Sequence, residues 1–172
     1  SSEQRQFIPT GYLQPNVIAS NLVFMLPNAT LYHFGILCST MHNAWTRTVC
    51  GRLKSDYRYS NTIVYNNFPW PSAITEIQQQ KIAAAGKKVL DERQAEVDRC
   101  AAQNQKCSLA DLYAPGNMPS GLLKAHAELD KTVDAAYSYK GKKDDAVRVA
   151  FLFGLYQALS TLEGSEMAPK KP

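Results

Sequence analysis

The sequence predicts an α+β chain, strand-rich over residues 1–70 and a helical bundle over residues 71–172. Three observations carry the division. Apolar residues of the first part fall in short β-rich runs, those of the second recur at three- and four-residue steps, and Phe68-Pro69-Trp70-Pro71 separates them. Its two prolines remove backbone donors and bias their predecessors away from the helical region, so the architecture is expected to change there.

Taken in order, Arg5 to Leu13, Asn21 to Leu26, Leu31 to Cys38 and Tyr57 to Phe68 read as strands, parted by Pro-Asn and Asn-Ala-Thr turn signals. One helix interrupts them. Ser39 caps it, Met41, Ala44, Trp45 and Val49 form its apolar face, Asn43 and Arg47 lie opposite, and Gly51 follows its end. Residues 73–99 contain no proline and place Ile74, Ile77, Ile82, Ala85 and Val89 on one side of a long amphipathic helix. A polar linker over 101–106, a Ser108-capped turn of helix and the breaker Pro115-Gly116 come next. Pro119 opens a helix carrying Leu122, His126, Leu129, Val133 and Tyr137, which Gly141 ends. The last helix starts near Lys143 to Asp145 and buries Val147, Ala150, Phe151, Leu155, Ala158 and Leu162, before a fraying tail over 163–172.

A composition of 45% hydrophobic and 10% aromatic residues in 172 is enough to bury a core, while no apolar run reaches the ~18–20 residues of a membrane span. Cys38, Cys50, Cys100 and Cys107 match neither a C-x-x-C clamp nor a disulfide framework, so reduced thiols, a cytoplasmic setting and no membrane partner are expected. Charge is uneven. Residues 1–70 hold five Lys/Arg against two Asp/Glu, and residues 71–172 hold fourteen against thirteen, so a polyanion is expected to meet the first part.

Catalytic chemistry is absent from the motifs: there is no G-x-x-x-x-G-K-[ST], G-x-S-x-G or H-E-x-x-H, and no carboxylate set spaced to hold metal. His33 and His126, each in an apolar run, read as hydrogen-bonded interior histidines. His42 stands near a basic strip, where a phosphate contact and a plain surface role are both open. Asn66-Asn67-Phe68-Pro69-Trp70 is not the Asn-Pro-Pro-aromatic motif that holds a target amine, because its prolines are neither adjacent nor directly after an asparagine. A structural hinge fits it better.

The densest polar signal is Arg47 to Ser60, where cations, hydroxyls and aromatic rings interleave as phosphate positioning and base-edge reading require. In a strand, Lys54, Asp56 and Arg58 share one face as a possible reading row; the plainer alternative is a solvated strand with i, i+2 salt bridges. Arg47 and Arg52 flank the row and are expected to hold phosphates.

Leu31 to Leu37, Met41-His42-Asn43-Ala44-Trp45, Gly51-Arg52-Leu53-Lys54-Ser55-Asp56-Tyr57-Arg58-Tyr59-Ser60 and Val64-Tyr65-Asn66-Asn67-Phe68-Pro69-Trp70-Pro71 together closely resemble the C-terminal region of MmeI-like, type IIL restriction-modification enzymes. Ser108 to Tyr113, Met118-Pro119, Leu123 to His126 and Val133 to Tyr137 resemble that family's helical tail. The resemblance implies that residues 1–70 end a target-recognition domain and that residues 71–172 form a helical C-terminal domain. It also implies a fragment, in keeping with a first residue, Ser1, that is not an initiator methionine. The parent would be a bacterial adenine-N6 DNA methyltransferase using S-adenosylmethionine, with or without a Mg-dependent nuclease. The present chain, itself not an enzyme and without a cofactor, would meet double-stranded DNA and the missing methyltransferase domain. In such proteins the positions of Lys54 and Asp56 are associated with the base pair 3′ of the methylated adenine, and those of Arg58 and Leu22 with an interior pair. A lysine donor and an aspartate acceptor suit guanine and its paired cytosine respectively, so G is expected after the methylated A. A different class of function, a helical protein-interaction module with no direct DNA reading, is the alternative; salt dependence of DNA binding separates the two.

Overall fold

The computed structural model describes residues 3–21, 23–54 and 56–163. Six helices and one two-stranded hairpin are formed by these residues: α1 (Leu31–Cys38), α2 (Thr40–Val49), β1 (Gly51–Leu53), β2 (Asp56–Arg58), α3 (Glu76–Ala102), α4 (Leu109–Leu112), α5 (Ser120–Ala136) and α6 (Asp145–Glu163). A π-helical turn, Asn61–Tyr65, follows β2. The chain is α+β with a helical tail, as its sequence predicts, but the strands are fewer than the apolar runs imply.

Leu31–Cys38, expected as a strand, is helix α1. Thr30 caps it in a box with His33, whose Nδ1 lies 3.1 Å from the Thr30 backbone nitrogen. A short run buried on most sides lacks the alternation that would tell strand from helix. Tyr32, Phe34, Gly35, Ile36 and Cys38 are all buried. Arg5 to Leu13 is irregular, because side chains rather than a neighbouring strand satisfy its backbone: Asn43 Oδ1 accepts from Ile8 N–H at 3.0 Å, and Arg93 donates to the Thr10 carbonyl at 2.7 Å. Residues 23–26 form no ladder either, and Leu22 lies outside the described residues. The fourth run is strand only as far as Arg58, since the Ser60 hydroxyl caps the π-helical turn. The fraying tail expected at the C-terminus falls, from residue 164 on, outside the described residues.

Helix α2 forms where expected, with Ser39 as its cap. Asn43, expected on its polar face, is instead fully buried and bonds the carbonyls of Cys38 and Ser39. Helix α5 buries Leu122, His126, Leu129, Val133 and Tyr137 as the periodicity predicts. It stops earlier than Gly141, because Ser138 takes a left-handed φ of 52° and Tyr139 N–H reaches back to the Asp134 carbonyl at 2.8 Å. Helix α6 is rotated from the expected face: Arg148 and Leu152 point inward, while Val147 is 39% exposed and Ala150 is exposed. The rotation follows the Arg148 guanidinium, which grips the Asp134 carboxylate of α5 with both terminal nitrogens.

The two parts share one core. Helix α1 lies on α3 at a crossing of two glycines, where a Cβ on Gly35 would meet Ile82 Cγ2 at 2.7 Å and one on Gly86 would meet the Leu31 carbonyl at 3.1 Å. Asp130 of α5 accepts from Thr40 N–H at 2.7 Å and so holds the start of α2. Trp45 of α2 packs on Phe153 and Tyr156 of α6 at 5.2 and 6.1 Å between ring centroids.

Candidate nucleic-acid interface

Helix α2 delivers the chain into the hairpin. Strands β1 and β2 are antiparallel, with Gly51 opposite Arg58, Arg52 opposite Tyr57 and Leu53 opposite Asp56, and Lys54 lies between them in the chain, directly after β1. Lys54 has φ +55°, the handedness that tight hairpins need and that L-residues other than Asn, Asp and Gly adopt at a cost. Lys54 is therefore not in register with Asp56 and Arg58 on one strand. Asp56 and Arg58 project outward from β2 on either side of the buried Tyr57, and Lys54 stands at the tip beside them. All three are exposed, and among the described residues none has a side-chain hydrogen bond or an ion pair. The i, i+2 salt-bridge arrangement is not formed.

The hairpin is seated by a buried pair. His42 of α2 is 4% exposed; its Nδ1 lies 3.1 Å from the Leu37 carbonyl and its Nε2 3.2 Å from the Tyr59 hydroxyl. The carbonyl can only accept, so Nδ1 carries the proton and Nε2 accepts from Tyr59. Burial pushes the His42 pKa down to about 4. This corrects the phosphate role considered for His42: it is neutral, interior and fully engaged. Tyr59 also packs against Phe24, at 6.3 Å between ring centroids. No local motif announced the pair, because its members are 17 residues apart.

Arg47 is corrected too. Its guanidinium bonds the Asp145 carboxylate at 2.6 Å and the Gln6 carbonyl, and its side chain is only 20% exposed. Arg52 pairs with Glu3 at 2.6 Å and lies over the Tyr57 ring at 4.4 Å, but both partners of the ion pair are 44% exposed. Such an exposed pair is worth about 0–1 kcal/mol, so Arg52 can exchange Glu3 for a phosphate at little cost. Leu22, the remaining candidate, lies outside the described residues.

Elsewhere the buried polar groups are structural. Tyr113 hydroxyl bonds Arg93 Nε at 2.8 Å and His126 Nε2 at 2.6 Å, and the His126 ring stacks on Phe7 at 4.0 Å. Burial, with the Arg93 charge adding to it, pushes the His126 pKa down to about 3. Among the described residues no group of three His, Cys, Asp or Glu side chains could hold a metal ion, and no helix is long and apolar enough to cross a membrane.

Comparison with known proteins gives a consistent result. The family described as MmeI, target recognition domain, matches residues 1–72, and MmeI, C-terminal domain, matches residues 74–162. DNA methyltransferase A of Bacillus subtilis (strain 168) is 40% identical over 160 residues, which are 93% of this chain and 17% of that protein. The solved structure of the type IIL restriction-modification enzyme MmeI in complex with DNA superposes with a TM-score of 0.81 at 47% identity, covering 94% of this chain and 20% of that one. The chain thus spans about a fifth of the length of these relatives.

Proposed function

The chain belongs to the MmeI family, matching its target recognition and C-terminal domains in turn, and from that premise we propose that it reads base sequence in double-stranded DNA through the β1–β2 hairpin. The reader serves a larger bacterial protein, an adenine-N6 methyltransferase whose S-adenosylmethionine site, and any Mg-dependent nuclease, lie in the rest of that protein. One observation carries the reading. Lys54, Asp56 and Arg58 are exposed, and among the described residues unpaired, on a two-stranded hairpin of the kind a major groove about 12 Å wide admits, while Arg47 is tied inward.

Lys54 offers donors to O6 and N7 of guanine, and Asp56 offers acceptors to the amino group of the paired cytosine. The expected base 3′ of the methylated adenine is therefore G, with each lost contact costing roughly 1–3 kcal/mol. Arg58, two residues on, is read as serving an interior base pair. Mapping methylated sites in cells carrying the full-length protein tests the assignment. Lys54→Glu combined with Asp56→Arg is expected to move the preference from G to C; unchanged sites in that variant overturn it.

A second observation supports a partner within the same protein. Leu13, Val17, Ile18, Val23, Phe24 and Met25 are 49–97% exposed, which fits docking to another part of the same protein. Amide exchange over residues 13–25 is then expected to be slower in the full-length protein than in the isolated chain. Equal rates count against the docking.

A further inference from the structure

Between α5 and α6 the chain reads Tyr139-Lys140-Gly141-Lys142-Lys143-Asp144, three lysines within four residues. All three are exposed, and among the described residues their ammonium groups have neither a hydrogen bond nor an ion pair. The neighbouring acids are engaged elsewhere. Asp144 accepts the Val147 N–H at 3.2 Å as the cap of α6, and Asp145 holds Arg47.

The backbone beneath these charges is fixed. Ser138, in its left-handed conformation, turns the chain out of α5, and the Tyr139 hydroxyl donates to the Lys142 carbonyl at 2.7 Å across the loop. The Tyr139 ring is itself held between Phe151, at 5.1 Å, and the Arg148 guanidinium, at 4.8 Å. A ligand bound by the lysines would not have to order the loop first, which lowers the cost of binding.

A run of side-chain contacts links the end of the loop to the hairpin. Arg52 of β1 holds Glu3, and three residues along Gln6 meets Arg47, which holds Asp145 at the start of α6. Glu3 and Gln6 are at most about 11 Å apart along the chain, so one short segment joins the base of the hairpin to the end of the loop. We infer that Lys140, Lys142 and Lys143 form a phosphate clamp that holds the backbone of the duplex whose bases the hairpin reads. This rests on the reading of the hairpin given above. The chemistry favours a polyanion over a protein surface: lysine is depleted from protein–protein interface cores, and residues 140–144 carry no apolar side chain to bury there. A compact ammonium with three donors grips phosphate as a point charge and reads no base.

The test is binding of the full-length protein to its cognate duplex and to a scrambled duplex, measured across salt concentrations. Replacing Lys140, Lys142 and Lys143 together with Gln is expected to weaken both complexes by the same factor, about tenfold or more, and to reduce the slope of log affinity against log salt by about 2 to 3. The triple Arg variant should keep the parent slope, and Gln at Lys81, Lys106 and Lys124 should leave it unchanged. The clamp is overturned if the loop variant keeps the parent slope, or if the control triple lowers the slope as much. If the slope stays at its parent value while Lys54→Glu with Asp56→Arg still changes sequence preference, the clamp alone fails and the hairpin reading stands. A protein that binds neither duplex overturns both.

Discussion

Arg93 is a buried cation that forms no ion pair among the described residues. It is 7% exposed and held by the Tyr113 hydroxyl, the Thr10 carbonyl and the faces of the Phe34 and Tyr113 rings. Neutral acceptors and ring faces replace the missing anion, so removing the guanidinium strands their polar atoms instead of freeing a counter-charge. Arg93→Met is expected to lower stability by roughly 2–4 kcal/mol in denaturant titrations. Two buried histidines make the protein acid-sensitive. His42 and His126 have pKa values pushed down to about 4 and about 3 by burial, against an ordinary 6.5. Protons therefore bind the unfolded chain more readily, and the stability that both neutral rings contribute is complete above pH 6.5. It is lost as pH falls from there towards 3. The thermal midpoint should drop over that window, and His126→Gln should make the drop shallower; an unchanged profile in the variant would refute the assignment. Of these residues only His126 was legible in the sequence, because it falls on the apolar stripe of α5. Arg93 and His42 carry ordinary polar labels, and two of the groups that bond them, Tyr59 on His42 and Thr10 on Arg93, lie 17 and 83 residues away.

At the scale of elements, the glycines of α1 and α3 separate crossing from propensity. Gly35→Ala drives a methyl into Ile82, whose backbone carbonyl also lies 3.0 Å from the new Cβ, and should cost about 1–3 kcal/mol. Gly154→Ala in α6 meets nothing within 4 Å and should stabilise by about 0.5–1 kcal/mol. Thermal melts of the two variants should move in opposite directions. The hairpin gives a similar contrast. Lys54→Gly relieves a positive φ and should leave the fold as stable or more so, yet it removes the donor proposed for guanine. Methylation mapping should then show relaxed choice at that base pair with no loss of melting temperature. The helical elements after residue 75 were readable, because exposed polar faces leave a clear 3.6-residue period. Those before it were not: α1 is apolar on nearly every side, and the segments 5–13 and 23–26 are irregular without a partner strand, a state that the apolar pattern alone does not distinguish from a sheet.

Across the whole molecule the two halves cannot be pulled apart without exposing their common core. Phe7 stacks on His126, Arg93 bonds Thr10, Tyr137 donates to the Pro69 carbonyl at 2.9 Å, and α1 is clasped by α3. Residues 1–75 expressed alone are expected to show no cooperative melt and poor dispersion of amide resonances; a folded spectrum would refute this. Tertiary packing across the proline run carries no trace in local sequence. The hairpin tip is different in kind, since the side chains of Lys54, Asp56 and Arg58 are exposed and make no hydrogen bond or ion pair among the described residues. Recombination between related genes near codons 70–75 would join surfaces that had never been selected together, and most such hybrids should be lost as unfolded chains. Point changes at codons 54, 56 and 58 carry no such penalty, so a lineage can drift from one target sequence to another there while inheriting the remainder of the chain as a single block.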